Sequence, residues 1–82
     1  MSLADDFEAA VGRVNGLAVA PPSQVLLDLY GLYKQATAGD VSGARPGFTD
    51  FKGRAKYDAW ATRKGMTRDA AMNAYIAAAG KL

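Results

Sequence analysis

The 82-residue chain contains no cysteine and no histidine. The first absence excludes disulfides and thiolate metal sites as reinforcement for a small core. The second excludes imidazole acid–base catalysis and imidazole metal ligation. Serine is scarce: Ser2, Ser23 and Ser42 are all there is, and no histidine exists to activate them. The carboxylates are scattered near caps and surfaces and suggest no acid–base pair. No glycine-rich phosphate loop of the GxxxxGK[ST] or GxGxxG type occurs. The apolar runs fall far short of the roughly 18–20 residues that a membrane span requires. The opening, Met1-Ser2-Leu3-Ala4-Asp5-Asp6, lacks the basic start and apolar stretch of a secretory signal. These absences predict one non-enzymatic domain over residues 1–82, cytoplasmic, without cofactor, metal or stable membrane insertion. The lack of cysteine is compatible with a reducing compartment.

What is present is apolar residue and unevenly placed charge. Hydrophobic residues make up 50% of the chain, ample for a folded domain. Net charge is only +2, yet Met1 to Tyr33 carries four acids against Arg13 alone, and Arg45 to Arg68 carries seven bases against Asp50 and Asp58. A basic stretch of this kind either attracts an anion or forms a solvated surface.

Punctuation divides the chain into four helical stretches. Leu3, Phe7, Val11 and Val14 recur at helical spacing behind Ser2, and Gly16 stops the run. Pro21-Pro22-Ser23 opens a second helix with Ser23 as its expected N-cap, and Gly39 ends it. Residues Gly39 to Gly47 predict an ordered loop. Thr49 or Asp50 caps a third helix running to about Lys64, closed by Gly65. Thr67 caps the fourth, with Asp69 in its first turn and helix-forming sequence from Ala70 to Ala79. No useful length alternates with period two, so the class is all-α.

On the second helix, Val25, Leu29, Leu32 and Ala36 form one stripe, while Leu26, Leu27, Tyr30 and Tyr33 widen the apolar arc to nearly twice the roughly 100° of an ordinary surface helix. Asp28, Gly31 and Gln35 remain for a polar face. Tyr30 and Tyr33 beside Lys34 either stack a base and hold a phosphate or fill the core with their hydroxyls outward. On the third helix Lys52, Lys56 and Trp60 share a face, Phe51, Ala55 and Ala59 supply the core stripe, and Trp60 is expected to fill the core. Ala71, Ala74, Tyr75 and Ala78 form one face of the last helix, whose small residues permit close approach or leave room for a ligand. An acyl carrier protein is excluded, since no serine lies in an Asp-Ser-Leu context.

The run Leu29-Tyr30-Gly31-Leu32-Tyr33-Lys34-Gln35-Ala36-Thr37-Ala38-Gly39-Asp40, then Arg45-Pro46-Gly47, then Phe51-Lys52-Gly53-Arg54-Ala55-Lys56-Tyr57-Asp58-Ala59-Trp60 resembles the signature of the acyl-CoA-binding protein family. The likeness extends more weakly through Phe7, Pro21 and Ala71 to Ile76. It implies a four-helix bundle of up-down-down-up topology, with the long loop joining helices two and three. It also implies a carrier of medium- to long-chain fatty acyl-CoA, an intracellular pool former or transporter acting as a monomer. By resemblance Tyr30, Tyr33, Lys34 and Lys56 match ribose-phosphate and adenine contacts, and Tyr75 the tyrosine that closes on the ligand. Leu26 and Leu27 match positions beside the acyl chain, and Ala10 and Val11 positions near the adenine. Asn15 and Ala20 stand where many members carry lysine, which implies fewer cations at the phosphate. Two other readings stay open: a small nucleic-acid-binding module, disfavoured by the acidic first helix, and a ligandless helical interaction domain.

Overall fold

Each helix begins where a residue can serve free amides or has none to leave unserved. In the computed structural model, which describes residues 2–82, α1 spans Leu3–Asn15, α2 Ser23–Thr37, α3 Phe51–Ala61 and α4 Arg68–Ala79. Ser2 accepts the Asp5 amide at 3.1 Å, Asp50 accepts that of Gly53 at 3.0 Å, and Thr67 accepts that of Ala70 at 3.0 Å. Ser2 and Thr67 are caps read from the sequence, and of Thr49 and Asp50, both open for α3, it is Asp50 that serves.

Two boundaries differ from expectation. Ser23 is not the N-cap of α2 but its first residue; Pro22 takes the cap position at φ −53°, ψ 150° and makes no side-chain cap bond. Proline is suited there because its missing N–H removes a donor that would be orphaned. The third helix ends at Ala61 rather than near Lys64. The chain tightens into three-residue turns, Arg63 amide to Trp60 carbonyl and Lys64 amide to Ala61 carbonyl. Gly65, at φ 93°, then reverses direction in a region that favours glycine.

The helices form a row: α1 packs on α4, α4 on α2, and α2 on α3, while α1 and α2 do not meet backbone to backbone. Tyr30 faces Lys56, Gly31 faces Ala59, and Lys34 faces Trp60, so α2 and α3 run in the same direction. Gln35 reaches Met66, just before α4, while Tyr30 and Tyr33 lie by Tyr75, so α2 opposes α4. Phe7 meets Tyr75, and Arg13 and Leu17 lie by Ala79 and Leu82, so α1 parallels α4. The result is the all-α, up-down-down-up bundle.

The core consists of Phe7, Ala10, Leu29, Leu32, Ala36, Ala71, Tyr75 and Ala79. The alanines of α4 let two helices approach it, and Phe7 and Tyr75 fill the centre edge to face at 5.2 Å. Removing Phe7 from water alone contributes about 1.5–3 kcal/mol. Val25, expected on the core stripe, is only partly buried. Gly31 and Gln35, expected on a polar face, are both buried. The reason is tertiary: α3 lies against Gly31, and Gln35 is drawn inward by specific partners. Its Nε2 donates to Asp40 Oδ1 at 2.8 Å and to the Met66 carbonyl at 2.9 Å, and the same Asp40 oxygen accepts the Gly65 amide at 2.9 Å.

The long loop is held by α3. Trp60 Nε1 donates to the Gly39 carbonyl at 2.7 Å, Tyr57 Oη to the Gly43 carbonyl at 3.0 Å, and Arg45 grips Asp58 through Nε at 2.8 Å and Nη2 at 2.7 Å. Much of the sequence signature therefore builds the fold. Trp60 is half-buried and works as a pin for the loop.

Asp40 joins the ends of α2 and of the α3–α4 turn, and its charge is part of that joint. The Gly65 amide, then the Gln35 amide, hold its carboxyl below the usual carboxylate range. A lowered folded pKa means stability that is present above the unfolded value of about 3.9 and lost as pH falls through the folded value. Thermal melts are expected to show the midpoint falling as pH drops below about 4. Asp40→Asn should melt lower than wild type at neutral pH and lose less on acidification. Identical acid limbs for both proteins would show that Asp40 carries none of the dependence.

Candidate functional site

Because α1 and α2 are both packed on α4 and approach each other only through side chains such as Phe7 and Tyr33, a recess opens between them. Its volume is about 260 Å³, and it is lined by Val11, Val14 and Asn15 of α1, Leu26, Leu29, Tyr30 and Tyr33 of α2, and Tyr75 of α4. On the other side of α2 lies a second recess of about 360 Å³, lined by Ser23, Leu26, Leu27 and Tyr30 and by Phe51, Lys52, Ala55 and Lys56 of α3. Leu26 and Tyr30 belong to both, so the two recesses meet across the wide apolar arc of α2.

Their chemistry differs. The first has no charged side chain in its lining, only apolar groups, three phenols and the Asn15 amide. The second is apolar with two lysines on its α3 side. Lys56 Nζ stands 5.4 Å from the centroid of the Tyr30 ring, a cation–π arrangement that puts the charge at the junction. Tyr33 is 38% exposed and its ring lies along Phe7, centroids 6.0 Å apart and planes 26° apart. One face of that ring is thus backed by Phe7. Tyr75 closes the base of the first recess at 4% exposure. Burial, and secondarily the nearby Tyr33 phenol, push its ionisation upward, so it is a neutral phenol at pH 7, able to donate and accept.

Of the ten residues proposed from the sequence, eight line the joined recesses: Val11, Asn15, Leu26, Leu27, Tyr30, Tyr33, Lys56 and Tyr75. Lys34 lines neither; its Nζ lies 4.8 Å from the Trp60 ring centroid. Ala10 also lines neither and is 2% exposed in the core. It stands three positions after Phe7 and so shares the stripe that faces α4, whereas Val11, about 100° further round, faces the recess. The sequence reading left Val14, Leu29, Phe51, Lys52 and Ala55 out of the site. Phe51, expected in the core, is 79% exposed, because α3 packs on α2 alone and no third helix covers its first turn. Its signal was present all the same: Phe51, Lys52, Ala55 and Lys56 sit at helical spacing beside Leu27 once α3 is known to parallel α2.

An all-α bundle with a flat aromatic recess joined to an apolar, lysine-edged one is a ligand-binding module. The chain belongs to the acyl-CoA-binding protein family: the family described as Acyl CoA binding protein matches residues 4–79. It is a family of binding proteins, not of enzymes. An acyl-CoA-binding protein homolog of Manduca sexta is 47% identical over 78 residues, covering 94% of this chain and 87% of that protein. An acyl-CoA-binding protein of Brassica napus is 49% identical over 76 residues, covering 93% and 83%. In structure, acyl-CoA-binding protein 2 of Oryza sativa superposes with a TM-score of 0.93 at 39% identity, covering 98% of this chain and 87% of that one. The acyl-CoA-binding protein of Moniliophthora perniciosa gives 0.88 at 38% identity, covering 95% and 76%.

Proposed function

We propose that this protein binds medium- to long-chain fatty acyl-CoA esters, one per monomer, and holds them as a cytoplasmic pool for delivery. The observation that carries this reading is the meeting of two unlike recesses at Tyr30 and Leu26. A ligand with a flat base, an anionic middle and an apolar tail needs that sequence of surfaces. The base occupies the α1–α2 recess on the outer face of Tyr33, with Asn15 and Val11 beside it. Lys56 and the Tyr30 and Tyr75 hydroxyls meet the phosphate, and Lys34 reaches it by exchanging its place over Trp60. The tail runs along Leu26 and Leu27 against Phe51 and Ala55. Ala10 serves from behind, setting the depth at which α1 packs on α4. No cation is contributed by α1, where Asn15 stands, so Lys56 bears a large share of the phosphate contact.

Calorimetric titration of palmitoyl-CoA tests the reading directly: saturable one-to-one binding is expected, and none at micromolar concentrations would sink it. Lys56→Ala should weaken binding by about 1.5–3 kcal/mol through loss of a charge-assisted hydrogen bond. Wild type should lose a similar amount with an ester of dephospho-CoA. Unchanged affinity in the variant would remove Lys56 from the site.

The tyrosines divide the same way. Tyr33→Ala should cost about 1–3 kcal/mol of affinity if a base stacks on the ring, and Tyr30→Phe less, because only a hydroxyl is lost. Thermal melts alongside the titrations separate binding from folding. A large fall in stability with unchanged affinity would return Tyr33 to the core as Phe7's packing partner.

A further inference from the structure

Of the side chains that line the α1–α2 recess, only Asn15, Tyr30, Tyr33 and Tyr75 carry a polar group, and none is a charged residue. Under the acyl-CoA reading three of them have work already. Tyr33 gives its ring face to the base, and the Tyr30 and Tyr75 hydroxyls meet the phosphate. Asn15 has no such assignment. Its side chain is exposed and makes no hydrogen bond among the described residues.

The backbone fixes where that carboxamide stands. Asn15 closes α1 one turn after Val11, and both line the recess. The residues after it are tied back, the Gly16 amide to the Gly12 carbonyl at 3.0 Å and the Leu17 amide to the Val14 carbonyl at 3.3 Å. A carboxamide sets an accepting oxygen beside a donating nitrogen in one plane, whereas an ammonium offers donors alone. The difference matters to a purine. On adenine, the edge formed by the C6 amine and N7 presents a donor beside an acceptor. With oxygen at C6, as in guanine, the same edge presents two acceptors. A carboxamide answers the first pair with both of its groups. It answers the second with one, and its own oxygen then faces an acceptor.

We propose that Asn15 makes the recess selective for adenine over 6-oxopurines, its Oδ1 accepting from the C6 amine and its Nδ2 donating to N7 of a base stacked on Tyr33. The inference rests on the acyl-CoA reading and deepens it. Val11, Val14, Leu26 and Leu29 supply the rest of the lining and cannot answer the polar edge of a base. A site with one matched amide rejects an analogue by leaving a polar group unpaired.

Calorimetry with three palmitoyl esters tests the assignment. The first is palmitoyl-CoA. The second is its hypoxanthine analogue, with oxygen in place of the C6 amine, and the third its 7-deazaadenine analogue, which lacks the N7 acceptor. Wild type should bind each analogue about tenfold more weakly than palmitoyl-CoA, the effect of one hydrogen bond lost from a bidentate pair. That ratio should not change with salt, since a neutral contact is not screened. Asn15→Ala should bind palmitoyl-CoA about tenfold more weakly than wild type does, and should hold all three esters within about twofold of one another. Its melting temperature should not move. Asn15→Lys should bind the hypoxanthine ester at least as tightly as palmitoyl-CoA, because an ammonium can donate to both acceptors of the 6-oxo edge. Equal binding of the three esters by wild type, or the wild-type ratio kept in Asn15→Ala, overturns the proposal and leaves the acyl-CoA reading in place. Failure of palmitoyl-CoA itself to bind would overturn that reading, and the proposal with it.

Discussion

Palmitoyl-CoA is expected to bind this protein far more tightly than either of its halves. Free CoA should retain the base and phosphate contacts proposed at Tyr33, Tyr30 and Lys56 but leave the α2–α3 recess empty. Palmitate should retain the recess but strand a carboxylate where the proposed ligand has a thioester. Burying about ten methylenes at roughly 0.8 kcal/mol each gives a nominal 8 kcal/mol, part of which is returned in ordering the chain. Joining the halves also avoids a second loss of translational freedom. Calorimetry with CoA, palmitate, octanoyl-CoA and palmitoyl-CoA should place the last well ahead and octanoyl-CoA between. The heat-capacity change should be negative and grow with chain length, the mark of apolar burial. Equal affinity for CoA and palmitoyl-CoA would leave the α1–α2 recess as a nucleotide site with no tail groove beside it. Stronger binding of palmitate than of palmitoyl-CoA would make the protein a fatty-acid carrier.

Gly31→Val should be among the most damaging single substitutions in the chain. A Cβ at Gly31 would run into the Ala59 carbonyl, with its carbon at 2.8 Å and the Trp60 nitrogen at 3.3 Å. These are backbone atoms and cannot rotate aside, so α3 must move away from α2. Even Gly31→Ala should cost about 1–3 kcal/mol through overpacking, despite a helix-propensity gain near 1 kcal/mol, and valine more. For a domain of this size each kcal/mol lowers the melting temperature by about 4–8 °C. Binding should suffer as well, because displacing α3 parts Lys56 from Tyr30. Gly12→Ala is the matched control: it also lies within a helix, nothing stands within 4 Å of its added Cβ, and it should be neutral or stabilising. If Gly31→Ala melts no lower than Gly12→Ala, the close approach of α2 and α3 does not bear on stability.

Gly31 also shows where the sequence stopped being legible. Its lack of a side chain placed it with Asp28 and Gln35 on a polar face, yet it is buried because another helix needs the space. Gln35 was misplaced for the same kind of reason, since a polar side chain is drawn inward only when partners await it. Those partners are Asp40, five residues on, and the carbonyl of Met66, thirty-one residues on. The signature residues were recognisable as a set but their work was not. Arg45, Tyr57, Asp58 and Trp60 tie the loop to α3, while Tyr30, Tyr33 and Lys56 of the same runs face the joined recesses.

The sequence by itself determined that there are four helices, the caps at Ser2 and Thr67, the choice of Thr49 or Asp50 for α3, and the family. Each of these is written in short-range chemistry: 3.6-residue periodicity, a hydroxyl or carboxylate three residues before an amide, and motifs in order. It also carried the wide apolar arc of α2, which called either for several covering helices or for a site. Only the tertiary structure decided how that arc is divided. Holding α1 and α2 to α4, with no backbone approach between them, opens one recess. Laying α3 parallel to α2, over Gly31, opens the other. It likewise sent Ala10 into the core and Val11 into the recess, one residue apart, because a side chain's role depends on which helix lies across from it.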